Sequence, residues 1–343
     1  MVRLTPKERL LRVLRKEPTD RPPVICIGGM MNAAVVDIMK ETGHTLPEAH
    51  FKELLMAELA ADVYKSTGFE NIALPFCMTV EAEALGSRID PGNFACEPKI
   101  ASEAFFSVSK VQYKDIDSLL SNSRAQTVAG ATRLLSVEYA DLPVVAAVTG
   151  PISTAASIVD PMTFLKELRK KGRESHRLLE YVTAFLKAYC EKLVASGAAV
   201  IGIGDPTATG EILGPQIFEE FALPYINDLA DYVRSFGIPV IVHICGRIGP
   251  VRRFLINLRA NALSTDATVN LRGLKEEYPS LTTMGNLSTY LLQSGPSQKI
   301  ARLAAKLVRN RVDIISPACG LSTSTPIENI RALTDTVKRG LTC

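Results

Sequence analysis

A run of branched apolar residues, Val240-Ile241-Val242, leads straight into His243-Ile244-Cys245 and stops at Gly246. Unbroken apolarity over so short a run reads as a strand buried on both faces, the habit of parallel sheets. Strand side chains alternate, so His243 and Cys245 face the same way at the strand's end. One histidine and one cysteine on an apolar strand are ordinarily core residues. A second branched run, Val312-Asp313-Ile314-Ile315, leads through Ser316-Pro317-Ala318 to Cys319. If both strands end at the same face of one sheet, an imidazole and two thiolates converge, and that is a donor set for zinc. The fold must therefore bring strands far apart in sequence together at one end.

Eight β-prone runs can be counted, at 24–27, 71–74, 144–148, 199–203, 239–245, 262–266, 281–285 and 312–316. Helical periodicity fills the intervals, at 31–42, 46–66, 114–138, 161–171, 174–196, 215–236, 248–258, 271–278, 297–309 and 326–338. Eight such alternations predict an α/β protein, a (β/α)8 TIM barrel, over an open doubly wound sheet. An N-terminal helical extension is announced by Thr5-Pro6-Lys7-Glu8, a capping box with proline in the first turn. After the second strand, 75–110 loses its period among prolines and glycines, which predicts an excursion of hairpins at the rim. No linker interrupts the pattern, so residues 1–343 are expected to form a single domain.

Composition narrows the function classes. With 343 residues and 47% hydrophobic content the chain can fill a large core. The net charge of +3 is scattered along the sequence, without zinc-finger spacing or an RNA-binding aromatic signature, so no nucleic acid partner is expected. No apolar run approaches the roughly 18–20 residues that span a bilayer, and the start lacks a signal-peptide core. Seven cysteines, irregularly spaced, do not make a disulfide framework. A cytoplasmic protein without a membrane partner is expected.

Barrel chemistry collects where strands end. Those positions are Gly28-Gly29, Phe76-Cys77, Thr149-Gly150, Gly204-Asp205, His243 with Cys245, Asp266, Gly285-Asn286 and Cys319. Three protein ligands leave a fourth zinc position for substrate. Asp266 is the in-chain candidate for a weak fourth ligand, or else it caps the following turn. Asp205 at the mouth could accept a proton or bond a ligand amide, or cap its own turn. Gly202-Ile203-Gly204 runs into Asp205-Pro206 and is not a dinucleotide fingerprint. Cys26 and Cys190 read as buried hydrophobes, and Cys96 and Cys343 have no evident partner. His44, His50 and His176 read as facing solvent, and Arg247 as a surface arginine or a partner for an anionic tail.

Taken together these residues resemble the uroporphyrinogen decarboxylase superfamily, and within it the zinc-dependent methylcobamide:coenzyme M methyltransferases. The resemblance runs nearly end to end. It includes Thr5-Pro6-Lys7-Glu8-Arg9 through Val24, the segment Pro75 to Gly86 with Glu81, Thr149-Gly150-Pro151, Asp205-Pro206, Phe218 to Tyr225, Met284-Gly285-Asn286-Leu287, and Cys319-Gly320 with Thr325-Pro326-Ile327-Glu328-Asn329. His243-x-Cys245 with a distant Cys319 marks the zinc branch.

The resemblance implies catalytic zinc held by His243, Cys245 and Cys319. Asp205, Glu81 and Asn286 are the expected cofactor-binding residues. A small thiol such as coenzyme M would take the open zinc position, lose its proton and attack the methyl group of a methylated corrinoid, presented by a small corrinoid protein. One departure from the branch is that the strand after His-x-Cys carries only Asp266 where an acidic pair is frequent. Uroporphyrinogen decarboxylation itself needs cations to hold a porphyrinogen polyanion, and no arginine lies between Arg21 and Arg88. Zinc methyl transfer with another thiol or with methyltetrahydrofolate, and a non-catalytic corrinoid-protein binding module, are the remaining alternatives.

Overall fold

The computed structural model describes residues 4–121 and 123–340; Cys343 lies outside them. Strands β1 (Ile72–Leu74), β2 (Arg88–Asp90), β3 (Lys99–Ser102), β4 (Val144–Thr149), β5 (Val200–Gly204), β6 (Val240–Ile244), β7 (Ala262–Thr265), β8 (Thr283–Leu287) and β9 (Ile314–Pro317) carry the architecture. Seven of them form a parallel sheet in the order β1-β4-β5-β6-β7-β8-β9, with helices between. The eighth stave is the extended segment 24–27, which joins the two sheet edges. On one side Ile25 N–H donates to Ile315 O at 3.0 Å and Ile315 N–H to Pro23 O at 2.9 Å. On the other, Asn71 replaces a backbone ladder with its side chain, accepting from Cys26 N–H at 3.0 Å and donating to Cys26 O at 2.7 Å. The sheet is thereby closed into an α/β barrel, and 24–27 is irregular because an amide side chain does half of its pairing.

The barrel strands are buried except at half-buried Ala73 and Asn286, which is why β4 and β6 in particular are rich in valine, isoleucine and alanine. One continuous apolar cluster joins the staves to the surrounding helices. Below the barrel the helix Pro6–Leu14 starts from Thr5, whose Oγ1 accepts from Glu8 N–H while Glu8 accepts from Thr5 N–H. Buried Arg9 then clamps this extension, pairing with Asp20 and with Glu70, both at 2.7 Å.

Several elements differ from the sequence reading. The stretch 31–42 is helical only over Val36–Thr42, and 46–66 divides into a turn at Glu48–His50 and the helix Glu53–Thr67. The excursion holds one hairpin, β2 with β3, and the short helix Val80–Ala84 in place of several hairpins. Pro151–Ile158 and Thr289–Ser294 are helices that the pattern did not reveal, being buried on nearly every side or very short. The helix expected over 215–236 is interrupted by a π turn at Phe218–Ala222, just before Pro224, which has no N–H to continue the regular ladder. No helix among the described residues is long and apolar enough to cross a membrane.

Candidate metal centre

Strand β6 carries His243 into the barrel end and Cys245 follows one residue beyond it. Gly246 then takes φ +67°, a left-handed turn that L side chains rarely adopt, so the chain leaves at once and Cys245 stays at the rim. Cys319 lies two residues past β9. Ala318 N–H donates to Leu287 O at 2.8 Å, and Gly320 packs so closely on the carbonyl of Met30 that a Cβ there would sit 2.3 Å from its oxygen. These two contacts hold the loop that presents Cys319.

The ligand atoms of His243, Cys245 and Cys319 lie within 4.8 Å of one another. The two thiols are 3.3 Å apart. His243 is fully buried; its Nδ1 lies 2.9 Å from Ser264 Oγ, and its Nε2 has no hydrogen-bond partner of normal geometry among the described residues. A buried ring nitrogen without a partner is costly in a protein interior and is what a metal site looks like before the metal is counted. Cys319, hydrogen-bonded to Cys245, pulls the Cys245 thiol down to about 5, with His243 adding to the effect against the cost of burial. The same bond, with burial, pushes the Cys319 thiol up, so one proton is shared by the pair. Two soft sulfurs and one imidazole nitrogen fit zinc, and three ligands leave a position open.

Asp266 is not part of this group. Its Oδ1 accepts from Thr268 N–H at 2.9 Å, capping its own turn, while its charge raises both thiols. The three residues expected to touch a cofactor are engaged by the protein itself. Asp205 is fully buried and accepts from Ile152 N–H at 3.1 Å, Ser153 N–H at 2.8 Å and Ser153 Oγ–H at 2.6 Å, at the start of the helix Pro151–Ile158. Burial pushes its carboxyl up to about 6 despite those bonds. Glu81 accepts from Thr149 N–H at 2.9 Å and from its hydroxyl at 3.0 Å, and its burial also raises its pKa. Asn286 donates to Asp266 O and Val269 O, both at 2.8 Å, and so pins the loop that carries Asp266.

Arg247 is 78% exposed and faces Glu211 at 3.3 Å. Of the histidines, His44 is part-buried against Asp62 at 2.6 Å, His176 is stacked on Phe221, and His50 is buried, contrary to the expectation of solvent. The turn Glu48–His50 folds under the helix Glu53–Thr67 and carries the ring inward; burial, and then the Arg124 charge, push it down to about 3. Ser264 is the residue that sequence reading missed. The signal was available in the pairing register, because β7 sets Ser264 beside His243.

Known proteins point the same way as the geometry. The profile of the family described as uroporphyrinogen decarboxylase (URO-D) matches residues 5–340. Methylcobamide:CoM methyltransferase MtbA of Methanosarcina mazei is 31% identical, with 98% of this chain and 99% of the relative aligned. Methylcobamide:CoM methyltransferase MtaA of Methanosarcina barkeri is 29% identical over 97% of each chain. A solved structure described as a methyltransferase from Methanosarcina mazei superposes with a TM-score of 0.92 at 28% identity, covering 98% of this chain and 99% of the other. Profile, alignment and backbone agree, and the chain belongs to the uroporphyrinogen decarboxylase family and, within it, to the methyltransferases.

Proposed function

We propose that this chain acts as one barrel domain that moves a methyl group from a methylated corrinoid, carried by a small corrinoid protein, to a small thiol such as coenzyme M. The observation that carries the reading is the meeting of His243, Cys245 and Cys319 within 4.8 Å around a buried, unpartnered imidazole nitrogen. These three would hold zinc, His243 through Nε2. Zinc bound there supplies the Lewis acidity that makes a substrate thiol a nucleophile at neutral pH. Cys245 and Cys319 contribute negative charge that keeps the acceptor sulfur electron-rich. His243, at the floor, fixes where that sulfur can sit. In the transfer the acceptor sulfur bonds the methyl carbon, and the carbon–cobalt pair returns to the corrinoid, reducing Co(III) to Co(I). Glu81, Asp205 and Asn286 act as props of the surrounding loops, through which the corrinoid meets the mouth. Six free cysteines among the described residues suit a reducing, cytoplasmic setting.

The test is zinc content of wild type beside His243→Ala, Cys245→Ala and Cys319→Ala, with thiol-dependent demethylation of methylcobalamin followed in the same samples. About one zinc per chain, lost with activity in all three variants, is the expected result. A folded wild type that takes up no zinc under anaerobic reconstitution would refute the reading. Coenzyme M and other small thiols, run in parallel, show which acceptor is used.

A further inference from the structure

We propose that Ser264 is the positioning residue of this centre: it accepts the Nδ1–H of His243 and so holds the ring in the tautomer that leaves Nε2 as the metal donor. The inference rests on the zinc reading above. In the parallel register His243 lies opposite Ser264, and residues so paired point to the same face. The hydroxyl oxygen is 2.9 Å from Nδ1. Its own proton has Met31 Sδ, a weak acceptor at 4.0 Å, on another side, which leaves a lone pair for the imidazole. Both residues are fully buried, so water does not substitute for the hydroxyl. Without it, Nδ1–H would be left in an apolar wall with no partner, and the ring would lose both its tautomer and its rotation. An outer partner of this kind contributes 10- to 100-fold to metal affinity.

The next residue supplies a control. Thr265 is equally buried, and its hydroxyl has no hydrogen-bond partner among the described residues. Thr265→Ala trims the same strand without touching the imidazole.

Zinc affinity is measured by competition with a chelator for wild type, Ser264→Ala, Ser264→Thr and Thr265→Ala, with melting of each metal-free protein and nitrogen-15 histidine NMR of the zinc-loaded wild type. Four histidines keep that spectrum tractable. Ser264→Ala is expected to bind zinc about 10- to 100-fold more weakly at unchanged metal-free melting, Ser264→Thr to recover most of it, and Thr265→Ala to match wild type. The NMR is expected to place the proton on Nδ1. Wild-type affinity in Ser264→Ala, an equal loss in Thr265→Ala, or a proton on Nε2 would each overturn the role of Ser264 while leaving the zinc reading intact. A wild type that binds no zinc overturns both. If Ser264→Thr does not fold, Ser264→Ala and the wild-type spectrum decide.

Discussion

Cys245 Sγ and Cys319 Sγ lie 3.3 Å apart although 74 positions separate them in the chain. Closing that gap to the roughly 2.05 Å of a disulfide needs only a small shift of either side chain at the rim. Zinc removal by a chelator followed by peroxide is therefore expected to join them, the two sulfurs giving up two electrons and the peroxide becoming water. A thiol titration should fall by two, zinc should fail to rebind, and dithiothreitol should reverse both changes. Retention of all thiols under these conditions would show that the pair is held apart.

Cys319→Ala separates a catalytic site from a structural one. The barrel buries a continuous core without the metal, so the variant is expected to lose zinc and thiol alkylation while its melting moves by no more than the metal-free wild type's. A collapse of the fold along with the metal would make the site a brace.

His50 is expected to set part of the acid sensitivity. Its folded pKa, about 3, lies below the unfolded value of 6.5, so the unfolded chain binds the extra proton between these values. The contribution is fully present above about 6.5 and is lost as pH falls toward 3. His50→Leu should flatten the stability–pH curve in that window; an unchanged slope would place the acid sensitivity elsewhere.

Asp205 works in the opposite sense. Its folded pKa, about 6, exceeds the ordinary carboxyl value of 3.8, so its contribution is greatest below about 3.8 and is lost as pH rises through 6. Asp205→Asn should remove this slope. It should also cost about 1–3 kcal/mol, since an amide cannot accept from Ile152, Ser153 and the Ser153 hydroxyl together. Denaturant melts from pH 4 to 7 measure both effects.

Arg247→Ala is expected to leave stability within about 0.5 kcal/mol, because its pairing with Glu211 is exposed. The KM for coenzyme M should also stay unchanged, since the side chain is directed to solvent and to Glu211. A rise in KM at constant kcat would instead assign it the sulfonate.

Much of the barrel was legible because a strand buried on both faces must be apolar along its whole length, and the runs ending at His243 and near Cys319 obey that. The spacing His243-x-Cys245 also determined by itself that two donors share a face, since strand facing repeats every second residue. Other features depended on partners far away in sequence. His50 looked exposed among polar neighbours, and packing under a helix decided otherwise. Asp205 read either as a cap for its own turn or as a contact for a ligand, and folding commits its carboxylate to the start of the helix Pro151–Ile158, reached across the β4–β5 pair. The meeting of Cys245 with Cys319 is also a property of closure. Strands β6 and β9 are three steps apart in the sheet, roughly 14 Å if it were flat. Only a sheet curled shut by the segment 24–27 brings their ends across the barrel mouth to a single metal-sized space.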